Sequence, residues 1–276
     1  MRASKVSPIG GISNQVIASA VISHNQQRQY FTLFFRNIRH NLLLKSGRAL
    51  EYCVVRAQIQ QAGSRDVHRG QFKRPKGAKK AGYPGFVLPT LATLRKSPPA
   101  SADWLHEIKF DGYRLQAHVR SDRVKLLTRS GLDWTAKFGA AIAVALADLP
   151  VTDAIIDGEI VAENAAGAPD FSALQDALST GRTDRLVFYA FDLLYLDGYD
   201  LRPAPLVARK AALEAIVIGP GAIRYSEHFE EDDERLFRHA CRLGLEGVVS
   251  KVRNAPIARA GARSGSRPNA RTGRSS

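Results

Sequence analysis

Between Trp104 and Val252 the chain is cut into short runs that alternate apolar and polar residues, with D-G or S-D dipeptides at several of the breaks. Period-two runs bounded by turn residues specify strands and hairpins. Trp104–Phe110, Tyr113–Arg120 and Val124–Thr128 read as successive strands, with Ser121–Asp122 as a tight turn. Ala154–Ala162, Leu186–Leu196, Ile223–Phe229 and Glu246–Val252 read as further strands. Helical spacing covers Trp134–Leu149, Phe171–Leu178, Leu206–Ile218 and Asp232–Leu243. Asp133 suits the N-cap of the first helix and Pro150 its stop, while Gly244 suits a C-cap for the last. Hairpins with interspersed helices predict an α+β domain with antiparallel sheets.

The net charge of +14 suggests a nucleic-acid partner until its distribution is read. Residues 1–80 hold 15 Lys/Arg against two acids, and residues 256–276 hold five arginines and no acid. Residues 81–255 hold 20 basic and 24 acidic residues, so the basicity lies at the ends. Three parts follow: a basic N-terminal extension over 1–80, a compact domain over 81–255, and an Arg/Gly/Ser tail over 256–276. Both ends are expected either to bind phosphate backbones without sequence preference or to be disordered or wrongly translated. The Arg-rich start also matches, superficially, an organelle transit peptide. Cys53 and Cys241 share no metal or redox spacing and read as reduced thiols of a cytosolic protein. No apolar run reaches the roughly 18 residues of a membrane span, and no signal peptide is recognisable.

The chemistry concentrates in the run Glu107–Arg114, where Lys109 lies between two carboxylates, Glu107 and Asp111, ahead of Gly112 and Arg114. A lysine at a strand end sits at the rim of a pocket, where neighbouring cations and desolvation can make its amine nucleophilic. The alternative is an exposed strand lysine paired with Asp111. Asp157-Gly158-Glu159 ends an apolar run with acids that need a partner, either a ligand hydroxyl, a metal, or the water around a hairpin. Within Phe188–Gly198, alternation lets Phe191 face a cleft and stack on a base while its neighbours pack as core. Glu246 and Lys251 stand at the two ends of the last strand, an acid and an ammonium such as a cation and a triphosphate need together; their odd spacing of five puts them on opposite faces of a regular strand, so a glycine-associated twist or a wide cleft is needed for both to reach one ligand. No P-loop is present.

These segments, in this order, resemble the signature set of ATP-dependent DNA ligases, within the covalent nucleotidyltransferase superfamily. The similarity is greatest to the ligase domain of bacterial DNA ligase D, an end-joining enzyme. It runs from about Pro84 to Asn254 through PGFVLPTLATL, WLHEIKFDGYRL, DGEIVA, FYAFDLLYLDGYDLRP and LEGVVSK. The resemblance implies an ATP-grasp-like nucleotidyltransferase (adenylation) domain with antiparallel sheets flanked by helices. It implies that Lys109 attacks ATP to form lysyl-AMP, that Glu107 contacts the adenine amino group, and that Arg114 and Arg129 bind ribose or phosphate oxygens. Glu159 would hold the ribose, Phe191 stack on adenine, and Lys251 contact the α-phosphate. Glu246 and Asp111 would hold Mg²⁺ or Mn²⁺. The implied partners are nicked or broken double-stranded DNA and a Ku-like end-binding protein, in the bacterial cytoplasm at the nucleoid.

The family pattern continues beyond EGVVSK with a Tyr-Arg-Gly segment, a strand carrying tryptophan and two lysines, and an OB-fold domain. After Pro256 this chain reads IARAGARSGSRPNARTGRSS instead. The expectation is a shifted reading frame; one permitted codon set, with a single T restored, gives YRSGRGAIWVKAKRAHWQKF. Loss of that strand should leave an open sheet edge. Two other readings stay open: an impaired remnant that binds nucleotide or nucleic acid only, and an RNA ligase or capping nucleotidyltransferase.

Overall fold

The computed structural model describes residues 15–19, 73–95, 97–99, 101–121, 123–164, 167–218, 221–229 and 247–257. Glu246, the Asp232–Leu243 helix and nearly all of the tail lie outside the described residues.

Two sheets make up the β-structure among the described residues. The first runs β11-β4-β12-β1-β3, with β1 Gln15–Ser19, β3 Thr93–Arg95, β4 Trp104–Ile108, β11 His228–Phe229 and β12 Gly247–Val252. The second runs β2-β9-β8-β7-β5-β6, with β2 Lys79–Lys80, β5 Tyr113–Arg120, β6 Arg123–Thr128, β7 Asp153–Ala162, β8 Leu186–Leu196 and β9 Tyr199–Asp200. β10, Ile223–Tyr225, joins it parallel to β8. The antiparallel hairpins read from the sequence are present. The helices among the described residues are α1 Ala140–Ala147, α2 Phe171–Thr180 and α3 Leu206–Ile216.

Alternation along β5 divides its side chains between two environments. Leu115, Ala117 and Val119 join Ile156, Ile160 and Phe188 in the main core, beneath Ile142, Leu146, Leu174, Leu213 and Ile216 of the helices. Arg114, Gln116 and His118, at the intervening positions, grip the irregular segment 83–90. Arg114 donates from Nη1 to the Thr90 carbonyl at 2.8 Å. Gln116 pairs with both backbone groups of Val87, accepting at 3.0 Å and donating at 2.5 Å. His118 Nδ1 lies 2.7 Å from the Tyr83 hydroxyl. One strand thus straps an extended segment across the sheet by contacts two residues apart.

Four expectations are corrected. The helix read over Trp134–Leu149 begins only at Ala140, because Gly139 adopts φ 79° and Thr183 leaves no room for a side chain there. Asp133 accepts from the amide and hydroxyl of Thr135 instead of capping that helix. The strand read over Ile223–Phe229 breaks at Ser226 and Glu227, so that β10 belongs to the second sheet and β11 to the first. The edge expected to lie open beside β12 is paired antiparallel with β1, from Gln15↔Lys251 to Ser19↔Gly247. Backbone donors and acceptors on that edge are thereby satisfied by a segment from the basic extension.

Gly112 follows from the same close packing. A Cβ at Gly112 would run into the Ile160 carbonyl of β7 and approach Val161. Gly112→Ala is therefore expected to cost about 3 kcal/mol through forced backbone displacement, read as a lowered denaturation midpoint. His118 generates a second expectation. Burial, with a smaller contribution from Lys125, lowers its pKa from 6.5 to about 4. A neutral ring accepts from Tyr83 at Nδ1 and donates from Nε2 to Gln116 Oε1 at 3.2 Å. The unfolded chain takes up this proton first, so the stability from the neutral ring is complete above about pH 6.5. It is lost as pH falls from there towards about 4. Denaturant midpoints measured from pH 7 to pH 4.5 should fall less steeply for His118→Gln than for the parent chain.

Candidate nucleotide site

The charged centre of the molecule is built from alternate positions on neighbouring strands. In the ladder between β4 and β12, Val249 faces Glu107 and Lys251 faces Leu105, so Glu107 and Lys251 are diagonal neighbours. Their side chains meet: Lys251 Nζ donates to Glu107 Oε2 at 2.9 Å. Lys210, from α3, places its ammonium 3.0 Å from the other carboxylate oxygen, Oε1. Ser226 Oγ donates to Oε2 at 3.3 Å. Glu107, Lys210 and Lys251 are 2 %, 0 % and 5 % exposed, so this is an ion triad sealed from water. Burial alone would push the Glu107 pKa up; Lys210 and Lys251 reverse this and hold it below its ordinary value. Burial lowers the Lys210 pKa, and Glu107 only partly restores it.

Phe191 adjoins the triad. It is the one residue of β8 that is not buried. The Lys251 ammonium lies 4.4 Å from its ring centroid and the Arg114 guanidinium 5.4 Å from it. Such cation–π contacts contribute on the order of 1 kcal/mol each. Arg114 also clamps Asp157 with two bonds, 3.2 Å from Nε and 2.8 Å from Nη2. The partner required by Asp157 is therefore a protein cation. Burial would lower the Arg114 pKa, but Asp157, with Glu159 and Asp192 behind it, keeps it raised. Glu159 is half-buried on β7 and stands opposite Arg114 in the strand register.

A narrow cleft opens beside this group; its lining includes Val87, Thr90, Arg114, Asp157, Phe191 and Asp192. The strapped segment 83–90 forms one wall. Asp192 is neutralised by Arg209 of α3 through bonds of 2.8 and 3.0 Å, so it supports the wall from behind.

Lys109 directly follows β4. It is half-buried, and its amide donates to the Gly247 carbonyl at 2.9 Å, which fixes the backbone at the mouth of the β4–β12 ladder. Asp111 is exposed. Arg129 is also exposed, in the turn after Thr128, the residue opposite Leu115. The structure thus assembles Glu107, Lys251, Phe191 and Arg114, with Glu159 in register beside Arg114. Lys109 stands at the adjoining strand end, and Arg129 shares only the end of the sheet. No group of three or more His, Cys, Asp or Glu among the described residues is arranged to hold a metal. Asp111 therefore has no such group around it, and its expected companion Glu246 lies outside the described residues.

Lys210, Arg209, Asp192 and Ser226 escaped the sequence reading. A signal existed for two of them. Leu206, Arg209, Lys210, Leu213 and Ile216 form the buried stripe of α3. Two cations within an apolar helical stripe require buried acceptors elsewhere.

The family profile described as ATP dependent DNA ligase domain matches residues 89–265. The multifunctional non-homologous end joining protein LigD of Pseudomonas aeruginosa is 41% identical over 181 residues, 65% of this chain and 21% of that protein. The SPbeta prophage-derived DNA ligase-like protein LigB of Bacillus subtilis is 32% identical over 173 residues, 62% of each chain. The crystal structure of the ligase domain from M. tuberculosis LigD shares 35% identity at a TM-score of 0.49, over 56% of this chain and 50% of that one. The chain spans about a fifth of the length of the LigD relative and about three fifths of LigB. No helix among the described residues is long and apolar enough to cross a membrane. With the strands that carry Glu107, Phe191 and Lys251 all inside the matched region, the chain belongs to the ATP-dependent DNA ligase domain family.

Proposed function

We propose that this domain transfers AMP from ATP to its own Lys109 and then to a DNA 5′-phosphate, in end-joining repair and recombination. The observation that carries the reading is the grouping of Glu107, Lys251 and Phe191 beside the strand end that presents Lys109. The half-buried Phe191 ring suits a stacked base, and Glu107 suits the exocyclic amino group of adenine. Glu159 suits the ribose; Arg114, Arg129 and Lys251 suit ribose or phosphate oxygens.

In the first step the Lys109 amine attacks the α-phosphorus. A nitrogen–phosphorus bond forms, the α–β phosphoanhydride bond breaks, and pyrophosphate leaves with the electron pair. The amine proton passes to solvent. In the second step a DNA 5′-phosphate oxygen displaces the lysine and takes the AMP. Attack by the adjoining 3′-hydroxyl then forms the phosphodiester and releases AMP. Positively charged donors aimed at the phosphates stabilise charge that develops in the transition state. Mg²⁺ or Mn²⁺ enters this reading as the counter-ion of the triphosphate, with Asp111 and Glu246 as its proposed carboxylates. Nicked or broken duplex DNA is the proposed acceptor and a Ku-like end-binding protein the proposed partner, in the bacterial cytoplasm at the nucleoid.

Incubation with α-labelled ATP and Mg²⁺ should leave label covalently on the chain, and Lys109→Ala should abolish it. Label that persists in Lys109→Ala would overturn the assignment of the nucleophile. An unlabelled parent chain that still binds ATP would leave a nucleotide-binding remnant. Sealing of nicked DNA, rather than capping of a triphosphate RNA end, distinguishes a DNA ligase from a capping enzyme.

A further inference from the structure

The two ammonium groups on Glu107 are not equivalent, and this bears on how the proposed site takes its ligand. Lys210 is completely buried, and its ammonium lies within 3.5 Å of three oxygens. Besides Glu107 Oε1 at 3.0 Å it reaches the Ser226 carbonyl at 2.8 Å and the Phe191 carbonyl at 3.5 Å. The Tyr225 ring closes over it at 4.6 Å. Lys251 meets one carboxylate oxygen at 2.9 Å and the face of Phe191 at 4.4 Å. A ring face is a weak acceptor that a phosphate oxygen readily outcompetes, since charge-assisted hydrogen bonds are the stronger interaction.

We infer that Lys210 is a positioning residue that holds the Glu107 carboxylate in place while Lys251 is given up to the nucleotide. The inference rests on the function proposed above. When Lys251 turns to a phosphate, Glu107 loses one of its two cations inside a sealed site. A carboxylate left there without a partner would be costly to bury. Lys210 remains, so Glu107 stays ionised and fixed, with an oxygen aimed at the purine. Lys210 also ties the Ser226 junction, where the chain passes from β10 in one sheet to β11 in the other, to the same carboxylate. It therefore sets the position of Glu107 relative to Phe191 on β8.

A fixed carboxylate accepts from the amino group at purine position six and repels the carbonyl that guanine carries there. Selectivity between ATP and GTP accordingly reports on the positioning of Glu107, whereas a general loss of folded protein lowers use of both nucleotides equally.

The experiment measures covalent labelling of the full chain by α-labelled ATP and GTP, at varied concentration. The parent chain is compared with Lys210→Met, Glu107→Gln and the double variant. Labelling of the parent through Lys109 tests the proposed function by itself; absence of that labelling sinks the function and the inference with it. Given a labelled parent, Lys210→Met should lower the ATP-over-GTP ratio of kcat/KM about tenfold, most of the way to the ratio of Glu107→Gln. The double variant should be no less selective and no less active than Glu107→Gln, because Lys210 acts through that carboxylate. An unchanged ratio in Lys210→Met, or multiplied losses in the double variant, overturns the inference. Where Lys210→Met is unfolded by circular dichroism, the comparison of the double variant with Glu107→Gln decides, since the double variant retains no unpaired carboxylate. If the double variant is also unfolded, Lys210 is a scaffold residue and the inference fails.

Discussion

The contact on which the rest of the structure depends is a single carboxylate shared by two buried ammonium groups. Glu107 comes from β4, Lys251 from β12 and Lys210 from α3, while the Ser226 hydroxyl comes from the junction between the sheets. Four separate pieces of chain therefore meet on two oxygen atoms. Isolated ions in such surroundings lose several kcal/mol of hydration each, and only close pairing recovers it. The arrangement penalises any movement that leaves one of these charges without a counter-charge in an apolar interior. Asp192 and Arg209 repeat the principle one residue away on both β8 and α3. Together the two pairs hold the helix against the strand that carries Phe191, so the aromatic ring and the carboxylate keep a fixed relation.

Much of the architecture could be read from local pattern, and the failures share one cause. Strands with steady alternation, such as Tyr113–Arg120, coincide with β5 because their period is set by one face of packing. Leu186–Leu196 coincides with β8 because a continuous apolar run of that length is buried on both sides. The break at Ser226 and Glu227 left no trace in the apolar rhythm, since changing sheets is decided by distant partners. The helix before Pro150 is shorter than its hydrophobic spacing implies, because the left-handed backbone of Gly139 delays its start. The pairing of β1 with β12 joins residues more than 200 positions apart, and no local signal reports it.

The site was legible as a set of residues and illegible as a set of contacts. Spacing brought out Glu107, Phe191 and Lys251 as chemistry-bearing positions, and the fold brings these three together. It did not disclose that Glu107 answers to a helix, or that Asp157 is held by Arg114. Arg114 shows why the difference matters. A guanidinium carries five N–H donors, and three of them are committed to Asp157 and the Thr90 carbonyl. Its first duty is to fix the wall formed by segment 83–90; the remaining donors alone are free to meet a ligand oxygen. The same side chain is thus a strut and a candidate binding group, and a loss of binding on its removal would mix both effects.

Competition for shared groups gives the proposed site its physical logic. Lys251 lies against the ring that a purine would cover and on the carboxylate that would meet the purine amino group. Where the base stacks on the ring face that the ammonium covers, the ammonium must leave it, and the phosphates offer that ammonium a stronger partner. Base and phosphate binding are therefore coupled through one side chain. A nucleoside without phosphate would have to displace Lys251 while returning nothing to it, whereas a nucleotide exchanges one anion for another. The site can in this way favour charged nucleotides over bare bases through the same residue that orients the phosphate, provided that Glu107 has a second cation to keep it in place.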